Sequence, residues 1–136
     1  MLNRELEGID RTTSVLSRAL QGLSARQTAI ASNVANINTP NYKALTVSFE
    51  GALAKAIAQK SPKLLVTTNS RHMQAPVVSV EPVVSAEAGK TMRLDGNSVD
   101  LEREMISLVE TTIRYNALAE VVGGRFALLK RVITGR

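Results

Sequence analysis

Apolar residues recur at alternating intervals of three and four in two long stretches, one at each end of the 136-residue chain. This heptad spacing is typical of long helices that pack side by side, because it places one apolar stripe along one side of each helix. We therefore predict an N-terminal heptad helix over residues 1–39 and a C-terminal heptad helix over 98–136. The stripe residues that we expect to carry assembly contacts are Leu16, Leu20, Leu23, Ile30, Leu108, Tyr115, Val122 and Phe126.

Polar residues and proline indicate where each helix ends or begins. Pro40 keeps Thr39 out of the helical conformation, so the first helix should end near Asn38. Asn97 is a suitable N-cap for the second helix, and Asp100 follows three residues later, where its side chain can bond back to the cap. Acidic residues in the first turns of this helix suit the positive end of its dipole.

The second helix is apolar on two sides. Its heptad stripe runs through Leu101, Met105, Leu108, Thr112, Tyr115, Ala119, Val122, Phe126, Leu129 and Ile133. A second set, off this stripe, consists of Ile106, Val109, Ile113, Val121 and Leu128. A helix that is apolar on two sides must bury both, either under the middle of the chain or against other chains. Few large side chains are available in the middle, which favours other chains.

Two glycines follow one another inside the pattern of the second helix, at Gly123 and Gly124. Each lowers helix stability by up to about 1 kcal/mol relative to alanine. The pair indicates either a flexible joint or the close approach of another backbone.

The middle segment, residues 40–97, differs from both ends and is rich in Val, Thr, Ser and Pro. This composition favours extended structure, and Pro76 and Pro82 argue against central strands of a sheet. The stretch 49–59 has the composition of a short helix. A small ordered β element and a mobile linker both fit the rest of the segment.

The length of the second helix decides the fold class. A helix over 98–134 is about 55 Å long, whereas a compact globule of this size is roughly 35–40 Å across. We predict a mainly α protein whose long N- and C-terminal helices pair as an antiparallel coiled-coil-like hairpin, with an extended or short-β middle segment. Together the three segments would form one elongated rod-type domain.

The composition argues against an enzyme. The chain has no cysteine, one histidine (His72), two tyrosines, two phenylalanines and no tryptophan, so few groups are available for nucleophilic or metal chemistry. We expect no catalytic residue, no cofactor, no metal and no small-molecule substrate. The sequence also lacks an apolar run of about 20 residues that could span a bilayer and a cleavable secretory signal at its start.

The formal net charge of +5 permits an anionic partner. The basic residues are dispersed along the chain and do not alternate with aromatic residues, as single-strand binding requires. We expect no nucleic-acid partner. A basic helical nucleic-acid-binding protein and a helical-hairpin adaptor nevertheless stay open as alternatives on the residue pattern alone.

Residues 32–44 read SNVANINTPNYKA. This stretch resembles the SxNxANxxTPGYK motif that the axial proteins of the bacterial flagellum share. Asn41 stands where the family has glycine, and asparagine is the next most tolerant residue at positive φ. The motif residues carried over are Asn33, Asn36, Thr39, Pro40, Tyr42 and Lys43.

Residues 94–105 read LDGNSVDLEREM and are similar to the start of the C-terminal helix in flagellar basal-body rod proteins. The residues carried over are Asp95, Gly96, Asn97, Asp100 and Glu102. Hook and distal-rod proteins carry large inserted domains, for which this chain has no room. The resemblance is therefore to the short proximal-rod proteins of the FlgB type, with the FlgC type as the nearest competitor.

The resemblance implies a structural subunit of the proximal rod that assembles helically through its terminal helices and transmits torque for motility. The implied partners are copies of the same chain, other rod proteins of the FlgC type, the basal-body adaptor of the FliE type at the membrane ring, and the flagellar export apparatus. The implied location is the periplasmic span of the basal body, reached by type III export without a cleaved signal peptide.

Overall fold

Three helices and two short strands make up the described part of the chain. The computed structural model describes residues 2–58, 82–86 and 93–135. In chain order the elements are α1 (Leu2–Ala35), β1 (Leu45–Ser48), α2 (Glu50–Ala58), β2 (Val83–Ala86) and α3 (Leu101–Thr134). The predicted mainly α fold, with two long terminal helices and a small β element between them, is confirmed. Pro76 and His72 lie outside the described residues.

Helices α1 and α3 pair in antiparallel directions. Gln27 Nε2 of α1 donates to Thr112 Oγ1 of α3 across 3.4 Å, and Asn33 Nδ2, six residues further along α1, donates to Glu104 Oε1 across 3.0 Å. Residues later in α1 thus bond to residues earlier in α3, as in an antiparallel pair. Each helix has 34 residues and is about 51 Å long, which fits the predicted elongated hairpin.

The stripe of α3 that faces the rest of the molecule differs from the predicted heptad stripe. Its buried and half-buried positions are Glu104, Ser107, Leu108, Thr111, Thr112, Tyr115, Leu118, Val122, Arg125 and Leu129. Five positions of the predicted stripe are instead exposed, namely Leu101, Met105, Ala119, Phe126 and Ile133. These five positions do not face the rest of the hairpin because the inward stripe contains polar residues, which a search for apolar spacing does not select. Their role in assembly stays a prediction.

The N-cap of α3 lies three residues after Asn97, the predicted N-cap. The cap is Asp100, whose carboxylate accepts hydrogen bonds from the backbone N–H groups of Glu102 and Arg103. Asn97 is wrong as a cap because its side chain is used elsewhere, at the end of α1. At its other end α3 ends at Thr134, and Gly135 caps it in the left-handed conformation with φ 67°.

Helix α1 ends at Ala35, somewhat before the predicted end near Asn38. The backbone there tightens into three-residue turns, with Ile37 N–H donating to Val34 O and Thr39 N–H donating to Asn36 O. Such turns satisfy carbonyl groups that the end of a helix leaves open. The chain therefore leaves the helix early enough to form the turn before β1.

The core lies where β1 and α2 pack onto the second half of α1. Strand β1 pairs with β2 in antiparallel register, from Leu45 opposite Ala86 to Ser48 opposite Val83. The buried cluster consists of Leu23, Ala29, Val47 and Phe49, and Leu45, Leu53, Tyr115 and Leu118 pack against it. The predicted short helix over 49–59 is α2.

A glycine in α1 makes room for the Phe49 ring. A Cβ atom built on Gly22 would lie 2.4 Å from Phe49 Cγ, a distance that no real Cβ contact tolerates. Arg26, one turn further along α1, lies over this ring, with its guanidinium carbon 4.9 Å from the ring centroid. The ring thus packs against two successive turns of α1.

Helix α3 continues without interruption through Gly123 and Gly124. Both are exposed, and a Cβ atom on either would meet nothing within 4 Å among the described residues. The hairpin itself therefore gives no packing reason for these two glycines. No helix among residues 2–58 and 93–135 is long and apolar enough to cross a membrane.

Candidate functional site

The two motif segments, far apart in sequence, meet at one end of the hairpin. Asn41 N–H donates to Asp95 O across 2.9 Å, and Ser98 N–H donates to Tyr42 O across 3.1 Å. Ala44 N–H donates to Ser98 Oγ across 2.8 Å. We call residues 33–45 together with 93–100 the clasp. It fixes the end of α1 to the start of α3.

Asn33 is a fully buried residue of the clasp, with no exposed surface. Its Nδ2 donates to Leu45 O at 2.9 Å and to Glu104 Oε1 at 3.0 Å. Its Oδ1 accepts from Leu45 N–H at 2.7 Å and from the Tyr42 hydroxyl at 3.3 Å. The side-chain amide thus bonds to both peptide groups of Leu45, as a neighbouring strand would, and all of its hydrogen-bonding capacity is used.

Asn97 is the second fully buried asparagine of the clasp. Its Nδ2 donates to three backbone carbonyls, those of Asn36 and Ile37 at 3.0 Å and that of Thr39 at 2.8 Å. Its Oδ1 accepts from Val99 N–H at 2.8 Å. A single side chain of the second motif therefore satisfies the carbonyls where α1 ends, which buried helix ends require.

The turn residues of the clasp depend on unusual backbone angles. Asn41 has φ 60° and Gly96 has φ 78°, so the asparagine keeps the positive φ expected at the position where it replaces glycine. A Cβ atom on Gly96 would lie 2.4 Å from Asn41 Oδ1. The positive φ at position 96 and the nearby Asn41 side chain therefore both favour glycine there.

Two basic side chains cross the clasp at its surface. Lys43 Nζ donates to Gly96 O at 2.9 Å. Arg93 donates to Ile37 O at 3.1 Å and forms an ion pair with Asp95 at 3.3 Å. The sequence analysis did not single out Arg93. Basic side chains often bond the carbonyl groups at the C-terminal end of a helix, and Arg93 does so at the end of α1.

Three other motif residues, Asn36, Thr39 and Asp95, also form hydrogen bonds within the clasp. Asn36 Nδ2 donates to Ser32 O at 2.9 Å, and Thr39 Oγ1 donates to Asn36 Oδ1 at 3.2 Å. Asp95 Oδ1 accepts from Asn97 N–H at 3.1 Å. Pro40 lies exposed in the turn, and Glu102 is exposed on the first turn of α3. The structure thus brings both motifs into one network of hydrogen bonds.

The predicted stripe residues fall into two groups. Phe126 is 55% exposed. The remaining seven are buried or half-buried, and they are Leu16, Leu20, Leu23, Ile30, Leu108, Tyr115 and Val122. The role of all eight in assembly stays a prediction.

The second apolar set of α3 is exposed along its whole length. Ile106, Ile113 and Leu128 are each 64% exposed, Val109 is 56% and Val121 is 52%. We call these five residues the outer face of α3. Such a continuous apolar face is rare on a monomer in water and is typical of an interaction surface.

A groove of about 250 Å³ lies between β1 and the first half of α3. Its rim carries side chains of both charges, among them Arg26, Arg103, Glu104, Glu110 and Arg114. Glu110 and Arg114 form an ion pair. Among the described residues no three His, Cys, Asp or Glu side chains lie close enough together to hold a metal ion.

Arg26 also forms an ion pair with Glu50, at the start of α2. Partial burial raises the pKa of the Glu50 carboxyl, but the hydrogen bonds from Arg26 and from nearby backbone lower it by more, so its pKa lies below the ordinary value of 4.5. This pair fixes α2 against α1.

Comparison with known proteins matches most of α1 and the first motif of the clasp to one family. A family model described as flagella basal body rod protein matches residues 14–43, which include the inner side of α1 and the first motif. The flagellar basal body rod protein FlgB of Bacillus subtilis strain 168 is 37% identical over 125 residues, covering 91% of this chain and 94% of that protein. The chain belongs to the FlgB family of flagellar basal body rod proteins.

Relatives from distant bacteria extend over almost the whole chain. FlgB of Borreliella burgdorferi is 30% identical over 134 residues, covering 94% of this chain and 99% of that protein. FlgB of Salmonella typhimurium strain LT2 is 29% identical over 136 residues, covering 96% of this chain and 98% of that protein. The sequence similarity to FlgB proteins therefore extends over both terminal helices and the middle segment, not only the first motif.

Proposed function

We propose that this FlgB-family chain is a structural subunit of the proximal rod of the bacterial flagellar basal body, where it transmits torque for motility. The observation that supports this most strongly is the exposed outer face of α3, which covers several turns on the side of the helix away from α1. A subunit that stacks with others buries such a face against its neighbours.

The clasp supports a mechanical role. A subunit that transmits torque must hold its two long helices at a fixed angle, or the applied force bends the hairpin before it reaches the next subunit. Two fully buried asparagines, Asn33 and Asn97, bond the end of α1 to β1 and to the segment before α3. Networks in which every polar group is satisfied make a structure rigid.

We propose that the assembly partners are copies of this chain, rod proteins of the FlgC type, the adaptor of the FliE type at the membrane ring, and the flagellar export apparatus. The stripe residues Leu16, Leu20, Leu23, Ile30, Leu108, Tyr115, Val122 and Phe126 contribute to assembly, directly or by holding the hairpin together. The subunit acts in the periplasmic span of the basal body and reaches it by type III export without a cleaved signal peptide.

The ion pairs on the surface favour this role over nucleic-acid binding. Arg26, Arg93 and Arg114 each pair with an acidic side chain of the same chain. A guanidinium that already has a carboxylate partner gives up that partner to bind a phosphate, which weakens counterion-driven binding. We propose no catalytic activity and no nucleic-acid partner for this chain.

An immunoblot of purified, detergent-stripped hook–basal bodies from the source organism tests the proposal. The chain should copurify with the basal body. A Leu20→Asp variant should be absent from it, because a charge at a half-buried position separates α1 from its neighbours. Normal motility of the Leu20→Asp strain would contradict the role of the stripe, and absence of the unmodified chain from basal bodies would contradict the proposed function itself.

A further inference from the structure

Leu94 is the most exposed large apolar side chain of the described residues, with a relative exposure of 110%. It lies in the turn of the clasp that precedes Asn97. A leucine that no described residue covers gains nothing from folding. Covering it by a partner recovers the roughly 1.5–3 kcal/mol associated with burying a leucine side chain.

The backbone that carries Leu94 is firmly held. On one side Arg93 bonds Ile37 O and pairs with Asp95. On the other side Gly96 N–H donates to Arg93 O at 3.1 Å, and Lys43 bonds Gly96 O. An apolar side chain on a backbone that is already fixed needs less ordering when a partner binds it, which suits an anchor residue.

The charged residues around Leu94 indicate which charge a partner surface should carry. Lys43 is exposed and Arg93 retains 46% of its side-chain exposure, whereas Asp95 retains 31%. The leucine thus projects from a turn with two exposed basic groups and one partly covered acidic group. A complementary surface is apolar at its centre and acidic at its edges.

The first half of the outer face of α3 has this composition. Ile106, Val109 and Ile113 form one exposed apolar patch. Glu102 lies one turn before this patch, and Glu120 lies two turns after it on the same side of the helix, at intervals of three and four residues. The second half of the outer face carries Arg131 instead and therefore suits Leu94 less well.

We propose that Leu94 of one copy of this chain docks onto the patch Ile106–Val109–Ile113 of a second copy. This inference rests on the proposed function and specifies one contact between rod subunits. The two surfaces differ, so each copy that joins leaves one surface of each kind free. Contacts of this kind build rings or open helical assemblies rather than two-fold dimers.

Cysteine cross-linking in purified basal bodies tests the contact, since the chain has no cysteine of its own. A Leu94→Cys/Val109→Cys variant should yield a ladder of cross-linked copies with a short bismaleimide. The matched control Leu94→Cys/Leu128→Cys carries the second cysteine on the other half of the same face and should yield far less product. All three positions are exposed, so the substitutions leave the hairpin folded, and thermal melting of the isolated variants checks this.

Charge reversal gives a second measurement on the same variant. Glu102→Lys together with Glu120→Lys should lower the yield of cross-linked product about fivefold, the size expected for exposed ion pairs. Added salt should also lower the yield of cross-linked product, because it screens exposed charges.

The outcomes separate this inference from the proposed function. Variants that enter basal bodies but give no 94–109 product overturn the contact and leave the rod assignment intact. A product only between this chain and a different rod protein also overturns the second copy as the partner. Absence of the unmodified, cysteine-free chain from basal bodies overturns both.

Discussion

The two halves of the hairpin are built on different principles. At the clasp end, backbone and side-chain polar groups bond to one another, and Asn33, Asn97 and Val99 are almost completely buried. In the second half of α3, exposed apolar residues such as Val121, Leu128 and Val132 face outwards. The clasp end is therefore held together by polar contacts within the chain, whereas the far half of α3 makes few contacts on its outer face, which remains available to a partner.

This difference separates the two requirements on a rod subunit. The clasp keeps α1 and α3 in a fixed relation within one chain. The outer face of α3 contributes little to the stability of that chain and becomes useful only against a neighbour. Substitutions at the clasp should thus alter the free energy of unfolding, whereas substitutions on the outer face should alter assembly.

The largest expected effect is that of removing Asn97. Asn97→Ala leaves three backbone carbonyls without their common donor and should lower the free energy of unfolding by about 3 kcal/mol. The matched control is Asn116→Ala, at an exposed position on α3, which should change it by less than about 0.5 kcal/mol. Urea unfolding followed by circular dichroism measures both. Equal effects of the two substitutions would mean that the buried Asn97 contributes no more to the free energy of unfolding than an exposed side chain does.

A smaller loss of stability is expected when the contact between α1 and Phe49 is disturbed. Gly22→Ala places a Cβ atom 2.4 Å from the ring and should lower the free energy of unfolding by about 2 kcal/mol, the size of an overpacked core. Thermal melting detects the change. A variant as stable as the unmodified chain would show that the Phe49 ring does not pack against Gly22 as described.

Replacing a glycine of α3 by alanine should instead raise the free energy of unfolding. Gly124→Ala meets nothing within 4 Å and should raise the free energy of unfolding of the isolated chain by about 1 kcal/mol, because alanine favours the helix. A swimming assay in soft agar then shows whether the added methyl group disturbs assembly. Destabilisation of the isolated chain would contradict the open surroundings of Gly124.

The smallest effect is expected at the ion pair that fixes α2. The pKa of Glu50 is lowered on folding, so its contribution to stability is present above the ordinary carboxyl pKa of 4.5 and is lost as the pH falls through the lower pKa of the folded chain. Glu50→Gln should lower the free energy of unfolding by about 0.5 kcal/mol or less near neutral pH, since half of this side chain is exposed.

Melting curves of the unmodified chain and the Glu50→Gln variant, recorded from neutral to acidic pH, check this contribution. The two curves should converge at acidic pH. A difference that persists below the lowered pKa would mean that Glu50 acts through packing rather than through its charge.

The sequence predicted the long elements well, because they depend on local pattern. Heptad spacing is a property of consecutive residues, and it was sufficient for the two terminal helices and their antiparallel pairing. It failed for one side of α3, where Glu104 and Thr111 face inwards and Met105 faces outwards. Glu104 lies inside because Asn33 bonds it, and no pattern within α3 carries that information.

The clasp was predicted only as two separate motifs. Nothing in residues 32–44 alone indicates that a side chain from the other end of the sequence completes the end of α1. Asn97 has the residue type and position of an N-cap, and the nearby Asp100 fills that role instead. Long-range polar contacts of this kind depend on where the chain returns in space, which local propensity does not determine.

The central claim is that neighbouring subunits cover the outer face of α3. The most direct test measures maleimide labelling of Ile113→Cys and Leu128→Cys in the isolated chain and in purified basal bodies, with buried Leu23→Cys as the control. The account predicts fast labelling of both outer positions in the isolated chain, slow labelling in basal bodies, and slow labelling of position 23 in each. Equally fast labelling of positions 113 and 128 in assembled basal bodies would contradict it.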